Sequence, residues 1–294
     1  MKKNPNSKTK RARHRIQSRK QTPTLNCGPN GKNGNTCYSN DNILKLKTLW
    51  NNKNPSNQIK SNAPKVIHHF LTKYINNCKD EYCWLNQDFI HDKKSIFKET
   101  FAPIAPDKWK TSPNTWLSNI DILQVLRQYE NVYKCFKFIG PSPIDFYSKY
   151  ETGQCIWKDI CMLDINKLLK EGKNKIGFVF NTDPHDKNGE HWISLFVNLK
   201  KKEIYFFDSV GNEIPPEINT LVSNIKKQGT QMVPPILFNF KENKIKHQTG
   251  DTECGVYSLY FIIHMLKDSA KKLKTQKISD RQMETYRKVY FNIL

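Results

Sequence analysis

No run of eighteen or more apolar residues occurs in the 294-residue chain, so the sequence offers no membrane-spanning helix and no membrane role is expected. The N-terminus also lacks the apolar middle section of a secretory signal, so the sequence predicts an intracellular protein that is not secreted. Acidic residues are missing from the first twenty positions, whereas Lys2, Lys3, Lys8, Lys10, Arg11, Arg13, Arg15, Arg19 and Lys20 all fall there. With a formal net charge of +21 overall, charge that concentrated cannot bury itself. The start therefore reads as a solvated, disordered arm able to attract nucleic acid non-specifically, an acidic protein or an anionic surface.

Paired cysteine knuckles are absent too. Eight cysteines are scattered through a chain far larger than a disulfide-stapled mini-protein, which predicts free thiols in a reducing compartment. Cys37, Cys78 and Cys83 with His68 and His69 have irregular spacing, so neither a metal site nor a cofactor is expected. No internal repeat is visible.

What is present is enough for a core: 37% of residues are hydrophobic and 12% aromatic. Residues 1–40 join the basic arm to a Pro/Gly/Asn-rich linker. Residues 41–105 carry short apolar clusters at helical spacing, such as Val66, Ile67, Phe70, Leu71 and Tyr74, and read as a helical arm domain ending at the Pro-rich Phe101–Pro106 segment. From 106 to 294 the character changes. Trp116, Leu117, Ile120, Leu123 and Leu126 predict an amphipathic helix, and 176–180, 192–197 and 204–207 are β-branched and aromatic runs that read as adjacent strands. Cys254–Leu266 is too long an apolar run for a strand and predicts a buried helix, and a last amphipathic helix spans 279–293.

A thiol protease needs a nucleophilic sulfur, a base, a group that orients the base, and donors for the oxyanion. Cys254 opens the apolar helix, where the dipole favours thiolate. Gly255 beside it leaves room for a substrate carbonyl. His191 heads one strand and Asp208 ends the next, so a hairpin pairing would bring them into hydrogen-bonding reach. Gln248 precedes the cysteine in a turn that would return its amide to the oxyanion. Each residue alone has an ordinary explanation: a structural thiol, a strand-end turn residue, a loop glutamine. Their order on these elements is what points to catalysis. His247, a rival base, is expected to point away.

Gly189 to Phe196, Phe207-Asp208-Ser209, His247-Gln248 and Thr252 to Tyr257 resemble the adenain and ubiquitin-like-protein (SUMO) protease superfamily, whose triad runs His, Asp or Asn, Cys. The resemblance is nearer to the SUMO-protease-like polyprotein-processing enzymes of large cytoplasmic DNA viruses, of asfarvirus and giant-virus type. Asn181-Thr182-Asp183 matches the end of their strand before the histidine, and Asp251-Thr252-Glu253-Cys254-Gly255 departs from their Gln-Thr-Glu-Cys-Gly only at Asp251. Asp208 stands where the asfarvirus enzyme has Asn but agrees with the SUMO proteases. The match covers about residues 110–294.

This resemblance implies an α+β, papain-like or adenain-like core with a central mixed sheet flanked by helices, behind a helical arm and the basic tail. It implies His191, Asp208 and Cys254 as the triad and Gln248 as oxyanion donor. Trp192, Trp116 and Asn119 would border the substrate cleft. The function implied is a cysteine endopeptidase cleaving viral structural polyproteins at Gly-Gly-type sites, in the host cytoplasm and the virion. The alternatives are an isopeptidase acting on ubiquitin-like conjugates, an acetyltransferase on the same fold, and a nucleic-acid-binding scaffold.

Overall fold

The computed structural model of the chain describes residues 25–29 and 36–293. The three predicted strands form as β2 (Lys175–Asn181), β3 (Trp192–Asn198) and β4 (Glu203–Phe207). Side chains alternate between faces along a strand, and here both sets are apolar. Ile176, Phe178, Phe180, Leu195, Val197 and Phe206 enter one core, while Val179, Trp192, Phe196, Tyr205 and Phe207 enter the other. Near-continuous apolar strands of this kind need cover on both faces.

One cover is α8 (Pro216–Thr230), through Ile218, Leu221, Val222 and Ile225. The other is α9 (Cys254–Leu266), in which every residue but His264 is buried, supported by α5 (Asn119–Val132) and α11 (Asp280–Tyr290). Short helices α6 (Lys158–Cys161), α7 (Ile165–Lys170) and α10 (Lys271–Thr275) complete this region.

The sheet is mixed, in the order β1-β2-β3-β4-β5. Strands β1 (Phe136–Ser142) and β5 (Asn239–Glu242) run parallel to their neighbours, while β2-β3 and β3-β4 are antiparallel. Neither edge strand is legible as a strand in the sequence. β1 contains Gly140-Pro141, which an edge tolerates, and β5 is a polar, half-exposed Asn-Phe-Lys-Glu.

Three expectations are corrected. The helix predicted to include Trp116 and Leu117 begins only at Asn119, because Ser118 and Asp121 form a reciprocal capping box that fixes the start. Trp116 and Leu117 precede it as a strap. Second, the linker up to residue 40 is not all disordered. Cys37 and Tyr38 are buried, the Gly28 N–H donates to Thr100 O and the Ala102 N–H to Asn26 O. These segments join α1 (Asn40–Lys53), α2 (Pro64–Tyr74), α3 (Glu81–Trp84) and α4 (Lys93–Thr100) around their own cluster of Leu46, Trp50, Ile67, Leu71, Trp84 and Ile96. The basic stretch 1–20 lies outside the described residues.

Third, six cysteines are bridged rather than free. Cys27–Cys37, Cys78–Cys83 and Cys155–Cys161 pair with Cα separations of 4.9, 5.4 and 6.5 Å, within ordinary disulfide reach. Each bridge closes a local loop of ten residues or fewer, a pairing by spacing that a residue-by-residue reading passes over. Cys135 and Cys254 stay free. Among the described residues no helix is long and apolar enough to cross a membrane.

Candidate active site

The antiparallel β3-β4 register puts the head of β3 beside the end of β4, with Ser194 opposite Phe207. His191, one residue before β3, and Asp208, one residue after β4, therefore meet: His191 Nε2 lies 2.7 Å from Asp208 Oδ1. The carboxylate is itself fixed, since the Val210 backbone N–H donates to the same oxygen at 2.9 Å and the buried Asn243 side chain donates to the Asp208 carbonyl at 2.7 Å.

The turn that delivers His191 is built by Asn181 and Asp183. Asn181 Oδ1 accepts from the Asp183 and Glu190 N–H groups, Asp183 Oδ2 accepts from the Gly189 N–H, and the Thr182 N–H donates to His191 O at 2.9 Å. Gly189 has φ +90, and a Cβ there would sit 2.6 Å from Asn181 Nδ2; only glycine fits.

Cys254 is the first residue of α9 and 1% exposed. Cys254 is also close enough to His191 to be among the groups that raise the imidazole pKa. Burial pulls the imidazole pKa down, but the bonds and charges of Asp208 and Cys254 override it and raise it from 6.5 to about 9. An imidazole with that pKa stays protonated through neutral pH. Gly255 serves packing rather than an open carbonyl site, which corrects the expectation: a Cβ there would lie 2.9 Å from Leu117 Cβ.

Gln248 is buried at 2% exposure. Its Nε2 donates to Gly250 O at 2.7 Å and its Oε1 accepts from Ser209 Oγ at 2.7 Å. A carbonyl can only accept, so the NH₂ end of the amide must face Gly250. Ser209 O also receives both the His247 and Gln248 N–H groups, tying this turn to the Asp208 strand end. His247 is wholly buried. Its Nδ1 accepts the Ile278 N–H at 3.0 Å, and burial, then the charge of Lys277, lowers its pKa to about 4. A neutral ring bonded in this way is no base for Cys254.

Trp192 is fixed by its indole N–H, which donates to Leu117 O at 2.9 Å. A cleft of ≈ 540 Å³ opens beside it, lined by Trp116, Leu117, Asn119, Trp157, Gly189 and Trp192 among others. Trp116 is 43% exposed. The three residues expected to border a cleft thus share one.

Sequence reasoning missed Arg287. It is 2% exposed, its Nε lies 2.8 Å from Glu253 Oε2, and its remaining N–H groups donate to Thr115 O and Thr252 O. A charged residue on the apolar Met283–Tyr290 stripe of α11 was the signal.

Comparison with known proteins follows the same lines. The model of the Ulp1 protease family, C-terminal catalytic domain, matches residues 110–293. A putative thiol protease of Acanthamoeba polyphaga mimivirus is 30% identical over 298 residues, spanning 90% of this chain and 92% of that protein. The SUMO-1 cysteine protease of an African swine fever virus isolate is 31% identical over 130 residues, 43% of this chain and 47% of that protein. The crystal structure of the African swine fever virus protease aligns with a TM-score of 0.62 at 23% identity, over 92% of this chain and 96% of that one. The α+β core with a mixed sheet and flanking helices, expected from the resemblance, is therefore the fold these proteins share.

Proposed function

The chain belongs to the Ulp1 protease family and is a cysteine peptidase, and from that premise we propose that Cys254, His191 and Asp208 are its triad, Gln248 its oxyanion donor, and glycine-rich viral precursor proteins its substrates. The observation that carries this reading is the His191 imidazole, held by Asp208 at 2.7 Å and near enough to Cys254 for the cysteine to help raise its pKa. In the proposed cycle the Cys254 thiolate attacks the scissile carbonyl, and the oxyanion accepts hydrogen bonds from the Gln248 amide and the Cys254 N–H. His191 gives its proton to the leaving amine. It then takes one from the water that hydrolyses the thioester, which frees the new carboxylate and restores the resting pair.

The preference for glycine rests on burial. A nucleophilic residue 1% exposed, in the same packed cluster as Trp192 and Leu117, is reached by a chain without side chains near the scissile bond. The relatives are thiol or cysteine proteases of two viruses, and on that footing the proposed substrates are viral precursors, processed in the host cytoplasm and the assembling virion. A second reading, removal of ubiquitin-like modifiers, is favoured by the name of the African swine fever virus relative, a SUMO-1 cysteine protease.

Hydrolysis of Gly-Gly-containing precursor peptides and of ubiquitin-like modifier probes by the wild type and Cys254→Ala separates the readings. Peptide cleavage lost in Cys254→Ala, with modifier probes intact, supports precursor processing. Cleavage of the probes alone moves the substrate to modifiers. Turnover that survives Cys254→Ala overturns the triad.

A further inference from the structure

The segment between Gln248 and Cys254 is gripped from outside by one helix. Asp280, the first residue of α11, turns its Oδ2 to three donors: the Thr249 N–H at 3.0 Å, the Thr249 hydroxyl at 2.6 Å and the Gly250 N–H at 2.9 Å. The Tyr257 hydroxyl, one turn into α9, shares its proton between Ile278 O at 2.8 Å and Asp280 Oδ1 at 3.0 Å. Two helical turns along the same face, Arg287 holds Glu253 and Thr252. Residues 249–253 are thus fastened at both ends to α11.

The first of these fastenings bears on chemistry. The carbonyl of Gly250 orients the NH₂ end of the Gln248 amide, as the Ser209 hydroxyl does its oxygen end, and the same Gly250 presents its N–H to Asp280. We propose that Asp280 is a positioning residue for the oxyanion site, fixing the Thr249-Gly250 turn so that the Gly250 carbonyl aims the Gln248 amide at the developing negative charge. This rests on the assignment of Gln248 as oxyanion donor. The carboxylate suits the task because all three groups at Oδ2 are donors. Asparagine would turn an NH₂ toward at least one of them, or leave the turn's N–H groups with a weaker, uncharged acceptor.

A contact that only held the fold together would shift binding, chemistry and folding together. A positioning residue shifts the step in which the oxyanion forms. The test compares Asp280→Asn, Thr249→Val, Gln248→Ala and the Asp280→Asn/Gln248→Ala double variant on a cleaved Gly-Gly peptide, with alkylation of Cys254 by iodoacetamide as a reaction that needs no oxyanion. Asp280→Asn should lower kcat about 10- to 100-fold, less than the ~10²–10³-fold of deleting an oxyanion donor outright. KM and the alkylation rate should stay within about twofold, and Thr249→Val, which removes one of the three bonds at an exposed site, should show a smaller loss of the same kind. The double variant should be no slower than Gln248→Ala, because the two residues act through one group.

Losses that add in the double variant, or an alkylation rate that falls with kcat, would overturn the proposal. An active Gln248→Ala beside a dead Cys254→Ala would overturn the oxyanion assignment itself and the proposal with it. Turnover that persists in Cys254→Ala would fault the triad reading instead.

Discussion

Asp208 Oδ1 receives two donors, the His191 Nε2–H at 2.7 Å and the Val210 N–H at 2.9 Å, so the carboxylate is set by its own turn before it sets the imidazole. The pairing depends on strand register. A slip of one residue between β3 and β4 would turn every side chain of one strand to the other face. Both faces of these strands are apolar, so the slip would misfit side-chain shapes in two packed cores and part His191 from Asp208. Packing of the two cores on the faces of the sheet therefore holds the register that pairs His191 with Asp208.

The alkaline limb of catalysis follows from this pair. Burial lowers the His191 pKa, but Asp208 and Cys254 override it and lift the value to about 9, so kcat/KM should hold through neutral pH and fall as pH passes about 9. The proton lost there is the one the leaving amine needs. Asp208 raises the imidazole pKa, so Asp208→Asn should move the limb to lower pH and cut kcat by up to ~10⁴-fold. Peptide hydrolysis followed from pH 6 to 10 checks both, and an unmoved limb in the variant would count against Asp208 as the orienting group.

The cysteine inventory gives a second expected outcome. Six cysteines are bridged, and Cys135 and Cys254 are free. Protein denatured without reductant should therefore take up iodoacetamide at Cys135 and Cys254 alone, and at all eight cysteines after reduction, as read by peptide mass spectrometry. Labelling at Cys155 or Cys161 before reduction would show that bridge to be open.

The strands and helix that carry the candidate triad were legible because their signals are local. Apolar runs of strand length, and a thirteen-residue apolar helix beginning at Cys254, are written in consecutive residues. What was illegible depends on chain-distant partners. β1 and β5 are recognisable as strands only beside β2 and β4, and Arg287 is a surface cation until Glu253, thirty-four residues earlier, is seen against it. Trp116 and Leu117 fit a helical period, yet the capping box at Ser118 places them in a strap whose meaning comes from Trp192 and Gly255. The disulfides lay between these cases: the short spacings were in view, but a large chain without a secretory signal predicts a reducing compartment and free thiols.

Gly255 tests the strap. An added Cβ would meet Leu117 Cβ at 2.9 Å, and Leu117 also accepts the Trp192 indole N–H. Gly255→Ala should thus push the strap outward, costing about 1–3 kcal/mol of stability by overpacking, and should disturb the cleft wall. The expectation is a lower melting temperature with KM for the peptide raised more than kcat is lowered. A fully stable variant with wild-type KM would mean that Leu117 yields freely and does not set the wall.

Arg287 and Glu253 separate stability from catalysis. Their side chains are each only 3% exposed, and removing one partner leaves a buried charge alone, so Arg287→Met should cost about 3–5 kcal/mol in urea unfolding. Arg287→Met combined with Glu253→Leu removes both charges, and should regain most of that loss, since a buried pair replaced by apolar residues is often close to neutral. Peptide hydrolysis should not recover in step. The guanidinium also donates to Thr115 O, one residue before the cleft-lining Trp116, and to Thr252 O, two before Cys254, and no apolar side chain restores those bonds. Stability regained with activity still depressed is the expected pattern. Recovery of both would mean that packing alone holds the segment leading to Cys254.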